Sequence, residues 1–541
     1  MRRALFLSLL LSCPLSAAAR SGAEDIPNVV LTRTASVTIE YGGPTRAEGR
    51  SYNFTPTFFI YPDAPLDNAG AEKLLEELDI QPLLDASYGT AVVVNPSAPG
   101  YDDEEDFRVF EALFNRFRGP GNLKVAGFGA GATFVNRVIA PRAGGQIAGI
   151  LTAGGKPGKK VADAGVPAYV AGKNAARVAV PYRKALRADE PLLRVVVNGD
   201  AAASPKEILA DAWKQVLGRN YRFNNYRHTH YEGARLGEYG SYELEPYLDC
   251  EALGIRRIAV EHSSLLWYEY WPVELLSPDT PEHSVSVVVL LHGNRNDPRT
   301  QAETSGFIQV AAQDRFFVVE MEWQGTPNYQ AMGHDGIETV LFGLLDKYPQ
   351  LDPSRIYAEG LSAGSITATA LGIKKSHLFA AVGGHSGGIY GGPFRGYATL
   401  EALWAEATQK RGFVEMPYCS VFGTLDNVVP YMTADNWKDN NYLNAWNTYE
   451  QMNGMEVVCE MDFAAYPVFG QPLEDRETIV TSKGDGITVE TGVLYKGRIP
   501  MIKLVAVMDY GHWNFQPTAR IMWDFFRQFR RDPETGKLLH Q

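Results

Sequence analysis

Two copies of one short turn sequence, set a domain's length apart, constrain this chain more than any other feature. Gly360, Leu361, Ser362, Ala363 and Gly364 read G-x-S-x-G. Gly127, Phe128, Gly129, Ala130 and Gly131 read the same, with glycine where the serine would stand. The pattern is that of a strained strand-to-helix turn which holds a serine oxygen clear of a sheet. Its outer glycines remove Cβ atoms that so tight a bend has no room for. Positions 129 and 362 lie 233 apart (362 − 129). A duplicated unit, with a nucleophile in one copy only, is the first expectation.

Strand–helix alternation on both sides supports the duplication. In the second half, residues 286–292, 316–321, 355–359, 378–382, 418–422 and 503–507 read as strands. Several are continuous apolar runs, as strands buried on both faces should be. Residues 339–348 and 365–373 read as helices on either side of the 355–359 strand and its turn. The first half repeats the order with strands at 57–61, 91–94 and 123–126 and a helix at 107–117. Residues 148–155 mirror 380–387, and residues 193–198 are matched to the strand beginning at Tyr418. Such alternation gives a mostly parallel sheet with helices on both faces. The fold class expected is therefore α/β, in two domains at residues 28–245 and 250–541, with the boundary between Gly240 and Gly254. No Pro/Gly/Ser-rich linker marks it.

Bulk properties agree. A chain of 541 residues exceeds what one hydrophobic core usually serves. With 45% hydrophobic and 21% charged residues it is globular. Its net charge is −12, from 51 Lys plus Arg against 63 Asp plus Glu. The absence of a basic patch argues against nucleic acid and anionic polymers as partners. Residues 1–19 read as a secretory signal peptide: Met1-Arg2-Arg3, a short apolar run, then Ser16-Ala17-Ala18-Ala19. The run is too short to span a bilayer, which takes ~20 residues. Export is expected, with a lipid anchor through Cys13 as the second choice. Cys250, Cys419 and Cys459 would remain, allowing at most one disulfide; Cys419 with Cys459 is the pair favoured, with three buried free thiols as the alternative. No metal-ligand spacing appears, and neither a metal nor a cofactor is expected.

A serine hydroxyl needs a base within hydrogen-bond reach, itself oriented by an acid. Behind an elbow of this kind the partners follow in the order Ser, Asp or Glu, His. Asp426 lies just past the strand that begins at Tyr418, on the sheet rim where sites form. His512 follows the strand at 503–507. Oxyanion stabilisation needs preset backbone N–H groups. Ala363, after the nucleophile, supplies one, and Gly293 or Asn294, in the HG element that closes the first long strand, supplies the other. Trp323, Tyr390, Tyr431 and Trp513 stand near strand ends and suggest a broad apolar-lined cleft, with His385 and Ser386 as further lining.

These segments resemble the secreted poly(3-hydroxybutyrate) depolymerase and feruloyl esterase group of α/β-hydrolases. The resemblance runs from about Ile258 to Phe529. It rests on LLHG at 290–293, YPQLDPSRIYAEGLSAG at 348–364, HSGG at 385–388, GTLDNVVPY at 423–431 and GHW at 511–513. It implies an α/β-hydrolase-like fold and a Ser362–Asp426–His512 triad acting on carboxylic esters through an acyl-enzyme. Asn294 stands where many depolymerase-type members have cysteine, and residues 464–499 form a long insertion. Both bear on the substrate rather than on the chemistry.

The first half keeps the turn and loses the rest. Tyr61-Pro62-Asp63 replaces the HG element, and Asp200 lies two positions early for the acid. His228 and His230 have no serine to serve. That half is expected to be catalytically dead. The expected function is a secreted serine esterase acting on feruloyl or acetyl esters of plant polysaccharide, or on a polyester such as poly(3-hydroxybutyrate). The alternatives are a non-catalytic polymer-binding pseudoenzyme and a serine peptidase of the same fold.

Overall fold

The computed structural model describes residues 23, 25–36, 56–87, 89–117, 122–223, 236–237, 241–294, 296, 298–325, 329–389, 415–482 and 486–541. The chain divides into two compact units, one made chiefly of residues 50–224 and 232–247, the other of residues 248–541.

The first unit is built on seven strands: β1 (Val29–Thr34), β2 (Thr57–Tyr61), β3 (Thr90–Val94), β4 (Leu123–Phe128), β5 (Gly149–Ala153), β6 (Ala168–Ala171) and β7 (Val195–Asn198). Their order is β1-β3-β2-β4-β5-β6-β7, with β1 antiparallel and the rest parallel. Phe59 and Tyr61 of β2 join one apolar cluster while Phe58 and Ile60 join another. Successive side chains of a strand point to opposite faces, so β2 is buried on both, as its unbroken apolar run implies. Among the described residues, a short ribbon of β8 (Asn220–Phe223) with β9 (Glu243–Pro246) accompanies this sheet.

The second unit carries β10 (Ile255–His262), β11 (Leu265–Pro272), β12 (Val285–Leu291), β13 (Phe317–Met321), β14 (Leu351–Gly360), β15 (Ala381–His385), β16 (Tyr418–Gly423), β17 (Glu474–Val480), β18 (Thr488–Lys496) and β19 (Ile499–Val507). The sheet order is β10-β11-β13-β12-β14-β15-β16-β19-β18-β17. Without β10 and the β17–β18 pair, the remainder is the first unit's sheet strand for strand, including the antiparallel β11 beside β13. Both units thus have the expected α/β-hydrolase-like plan of mostly parallel strands and helices. Part of the long insertion is β17 and β18, which extend the sheet antiparallel to β19.

Three expectations need correction. The strand at 193–198 does not match the Tyr418 strand: β6 holds that place in the sheet order, and β7 matches β19. Asp200 therefore follows the counterpart of the histidine-bearing strand, not of the acid-bearing one. The strand expected at 378–382 runs instead over Ala381–His385. Gly383 and Gly384 hide it in the sequence, yet pairing with Cys419 and Ser420 of β16 holds it extended. Cys419 and Cys459 are both free, because one is sealed inside the sheet and the other stands on the surface.

Candidate active site

The second unit's elbow is where β14 hands over to the helix Ala363–Lys374. Ser362 sits between them at φ 55, ψ −116, a conformation that costs a non-glycine residue about 1–3 kcal/mol. Four backbone hydrogen bonds hold it there. Ser362 N–H donates to His385 O (2.8 Å), Leu361 N–H to Leu291 O (3.1 Å), Gly364 N–H to Leu361 O (2.7 Å) and Ile366 N–H to Ser362 O (3.0 Å). A Cβ on Gly364 would lie 1.9 Å from Leu291 O, and one on Gly360 would lie 2.4 Å from Gly364 C. Both glycines are demanded by backbone rather than by movable side chains.

Asp426 is buried at the C-terminal end of β16, in a turn it closes itself: Oδ1 accepts the N–H groups of Val428 and Val429, each at 2.9 Å. Its Oδ2 lies 2.7 Å from His512 Nδ1, and both side chains are at most 1% exposed. The loop that carries His512 is strapped to the acid loop. Leu425 N–H donates to Tyr510 O at 2.8 Å and Asp509 N–H to Thr424 Oγ1 at 2.8 Å. With Nδ1–H directed at the carboxylate, His512 presents Nε2 as the basic nitrogen.

His385 links these parts. Its carbonyl receives the Ser362 N–H, and its ring is close enough to His512 for that histidine to depress its titration. Burial first, and His512 second, push the His385 pKa down to about 3, so the ring is neutral throughout the physiological range. Nδ1 lies 3.0 Å from Ser386 Oγ. His385 and Ser386, at 2% and 0% exposure, support the turn from beneath instead of lining an open cleft.

The HG element closes around Ser362 from β12. A Cβ on Gly293 would lie 3.6 Å from Ser362 Cβ, so this backbone abuts the serine directly. His292 is fully buried, with Nε2 3.2 Å from Glu322 Oε1, and its carbonyl accepts Trp323 Nε1–H at 2.9 Å. Trp323 thus braces the HG loop. Asn294 is exposed, with Oδ1 3.4 Å from Gln324 Nε2. Among the other aromatics, Tyr431 is half-buried and stacks on Phe422, while Trp513 is buried. Tyr390 lies outside the described residues, as do Cys13, His228 and His230.

The first unit's turn has the same backbone. Gly129 has φ 55, ψ −112, its N–H donates to Ala153 O at 2.8 Å, and Thr133 N–H donates to Gly129 O at 3.1 Å. A Cβ on Gly131 would meet Tyr61 O at 2.1 Å, the counterpart of Gly364 against Leu291. Asp63 marks the difference. Its Oδ1 accepts the Ala130 N–H at 2.6 Å, and a Cβ on Gly129 would fall 1.9 Å from that oxygen. A carboxylate of the chain thus occupies the place that the Ser362 side chain has in the other unit, and engages the N–H that corresponds to that of Ala363. The sequence marked Asp63 only as part of a replaced loop. Glu322 and Trp323, which hold the HG loop, lacked any motif that would have given them this role.

Residues 337–456 match the esterase PHB depolymerase family. That span includes Ser362 and Asp426 and ends before His512. No curated protein matches the chain. Solved structures with similar architecture include an acetyl xylan esterase from Aspergillus awamori, at 14% identity and TM-score 0.34, over 50% of this chain and 99% of that one. An S-formylglutathione hydrolase from Agrobacterium tumefaciens matches at 12% identity and TM-score 0.31, over 50% and 94%. The esterase Pf2001 of Pyrococcus furiosus matches at 12% identity and TM-score 0.30, over 52% and 92%.

Proposed function

We propose that this chain, whose residues 337–456 match the esterase PHB depolymerase family, is a serine carboxylic ester hydrolase working through Ser362, Asp426 and His512. The observation that carries the reading is the buried 2.7 Å contact between Asp426 Oδ2 and His512 Nδ1, in a loop pair strapped beside a strained serine turn. In this mechanism His512 Nε2 takes the Ser362 hydroxyl proton as Oγ attacks the ester carbonyl. The Ala363 N–H, with Gly293 or Asn294 opposite, receives the developing oxyanion. Collapse expels the alcohol, protonated by His512, and leaves an acyl-Ser362. Water, deprotonated by the same nitrogen, then releases the acid. His385, kept neutral beside His512, adds no competing positive charge.

Feruloyl and acetyl esters of plant polysaccharide, and polyesters, are the substrate classes the reading favours. Trp323 and Tyr431, half-buried near the strand ends, support an aromatic or polymeric acyl partner. The first unit, with Asp63 over Gly129, takes no catalytic part. Residues 1–19 support export in this reading, and among the described residues no helix is long and apolar enough to cross a membrane. A panel of methyl ferulate, acetylated xylan and poly(3-hydroxybutyrate), run with Ser362→Ala as control, tests the proposal. Hydrolysis of at least one, lost in the variant, is expected. Equal rates in both proteins would end it.

A further inference from the structure

Each sheet has one row of side chains at the level just below its elbow. In the second unit Leu290 of β12 is in register with Glu320 of β13 and Glu359 of β14. In the first unit Ile60 of β2 is in register with Val93 of β3 and Ala126 of β4. The rows correspond, because Leu291 pairs with Gly360 and Tyr61 pairs with Gly127, the first glycine of each elbow. The same sheet therefore packs with valine and alanine where the second unit has two buried glutamates. Burying a carboxyl opposes folding unless it is fully hydrogen-bonded. The fold does not require one here.

Glu359 lies three residues before Ser362, is 2% exposed, and leaves Oε2 buried without a partner. The Gln301 side chain, from the helix Pro298–Ser305, lies close enough to its carboxyl to favour the ionised form. Gln301 in turn forms a reciprocal amide pair with Asn514, two residues after His512. Gln301 Nε2 donates to Asn514 Oδ1 at 3.3 Å, and Asn514 Nδ2 donates to Gln301 Oε1 at 2.8 Å and to Thr304 Oγ1 at 3.1 Å. The Asn514 carbonyl accepts the Tyr510 hydroxyl, which closes the histidine loop upon itself. Buried polar side chains thus run from the strand that leads into Ser362 to the loop that carries His512.

We propose that Glu359 is a positioning residue for His512, acting through the Gln301–Asn514 amide pair. This rests on the esterase reading above. Burial raises the Glu359 pKa to about 8, with the Gln301 side chain pulling the other way, so the group is protonated at neutral pH. Ionisation would leave a buried anion beside one amide and pull on that pair. The other titratable groups around it do not compensate it. Glu320 and Tyr357 are acids of the same face, and Cys419 on β16 is a thiol pushed up to about 12 by burial. Lys503 of β19 lies in register beyond Cys419. Glu303 is bound to Arg299 and Arg257, and Asp314 to Arg520.

The test compares wild type, Glu359→Gln and Glu359→Ala in the full chain, with p-nitrophenyl acetate as probe from pH 6 to 10. Wild-type kcat should fall above about pH 8 at steady KM, as the raised carboxyl ionises. Glu359→Gln should keep at least about a third of kcat and lose that alkaline decline. Glu359→Ala should lower kcat about 10- to 100-fold, as expected for a misplaced base, and melt no lower than wild type, since alanine already fills this place in the first unit. Wild-type kcat and pH profile in Glu359→Ala, or an unchanged decline in Glu359→Gln, would overturn the proposal. The low-field proton resonance of the His512–Asp426 hydrogen bond needs no substrate. It should shift or broaden in Glu359→Ala and return in Glu359→Gln. A resonance that responds in a protein inactive on every ester would fault the esterase reading and support the positioning role, whereas an unmoved resonance refutes that role.

Discussion

Set side by side, the turns at Gly129 and Ser362 separate what an elbow owes to its fold from what it owes to a reaction. Their dihedral angles agree within a few degrees, at φ 55, ψ −112 and φ 55, ψ −116. Each N–H reaches the carbonyl at the end of the next strand, 2.8 Å away in both units. Each is followed, two residues on, by a glycine jammed against a carbonyl of the neighbouring strand. The turn is therefore a property of the sheet and persists without a nucleophile. What differs is what surrounds it: an acid–histidine pair and a braced HG loop in one unit, a single carboxylate in the other. The bend itself is one that either sequence can make.

The largest effect that would test this contrast is Ser362→Ala, expected to cut kcat/KM for a short aryl ester roughly 10⁴- to 10⁶-fold. A fluorophosphonate should label the wild type once and the variant not at all. Activity surviving the change would move the chemistry out of this turn and dissolve the contrast. Asp426→Asn should cost about 10⁴-fold in kcat with the fold intact, by leaving His512 in the wrong tautomer.

Next in size, Gly131→Ala and Gly364→Ala should each destabilise its own unit by about 3 kcal/mol or more, because the obstacle is backbone. Denaturant unfolding followed unit by unit would show it. A large loss in one unit and none in the other would mean that the two turns are not equivalent.

Gly129→Ser should be milder, about 2 kcal/mol, from backbone strain and from displacing the exposed Asp63 side chain. Adding Asp63→Ala should recover part of that loss, and the double-mutant cycle gives the coupling directly. Neither variant should hydrolyse esters once Ser362 is also removed. Turnover from the repaired turn alone would contradict the view that this unit lacks the remaining machinery. Asp63→Ala by itself is the smallest change, about 1 kcal/mol, as one exposed hydrogen bond is lost.

Much of the second unit's framework was legible because its central strands are long, apolar and buried on both faces, as β12 and β13 are. The β6 strand escaped notice since four residues, AYVA, carry little pattern, and its omission shifted the assignment of residues 193–198 by one strand. The β10–β11 hairpin turns at Ser263 and Ser264, both with positive φ and neither glycine nor asparagine, so no turn signal announced it. Chain order suggested Asp426 and His512 as partners. Nothing in the order could point to Gln301 and Asn514, which meet across 213 residues as two neutral amides. Glu359 carries no motif that sets it apart in the sequence. Its meaning emerges only beside Ala126.

Asp63 has one further consequence, which concerns competition. The Ala130 N–H is offered to a carboxylate tethered a few ångströms away, at an effective concentration of order mM or above. A free acyl product or carboxylate inhibitor must displace that built-in ligand before it can touch the first unit's turn. A carboxylate arriving from solution meets, at that turn, a donor already engaged. The first unit's turn thus carries its own competitor, tethered to the same chain.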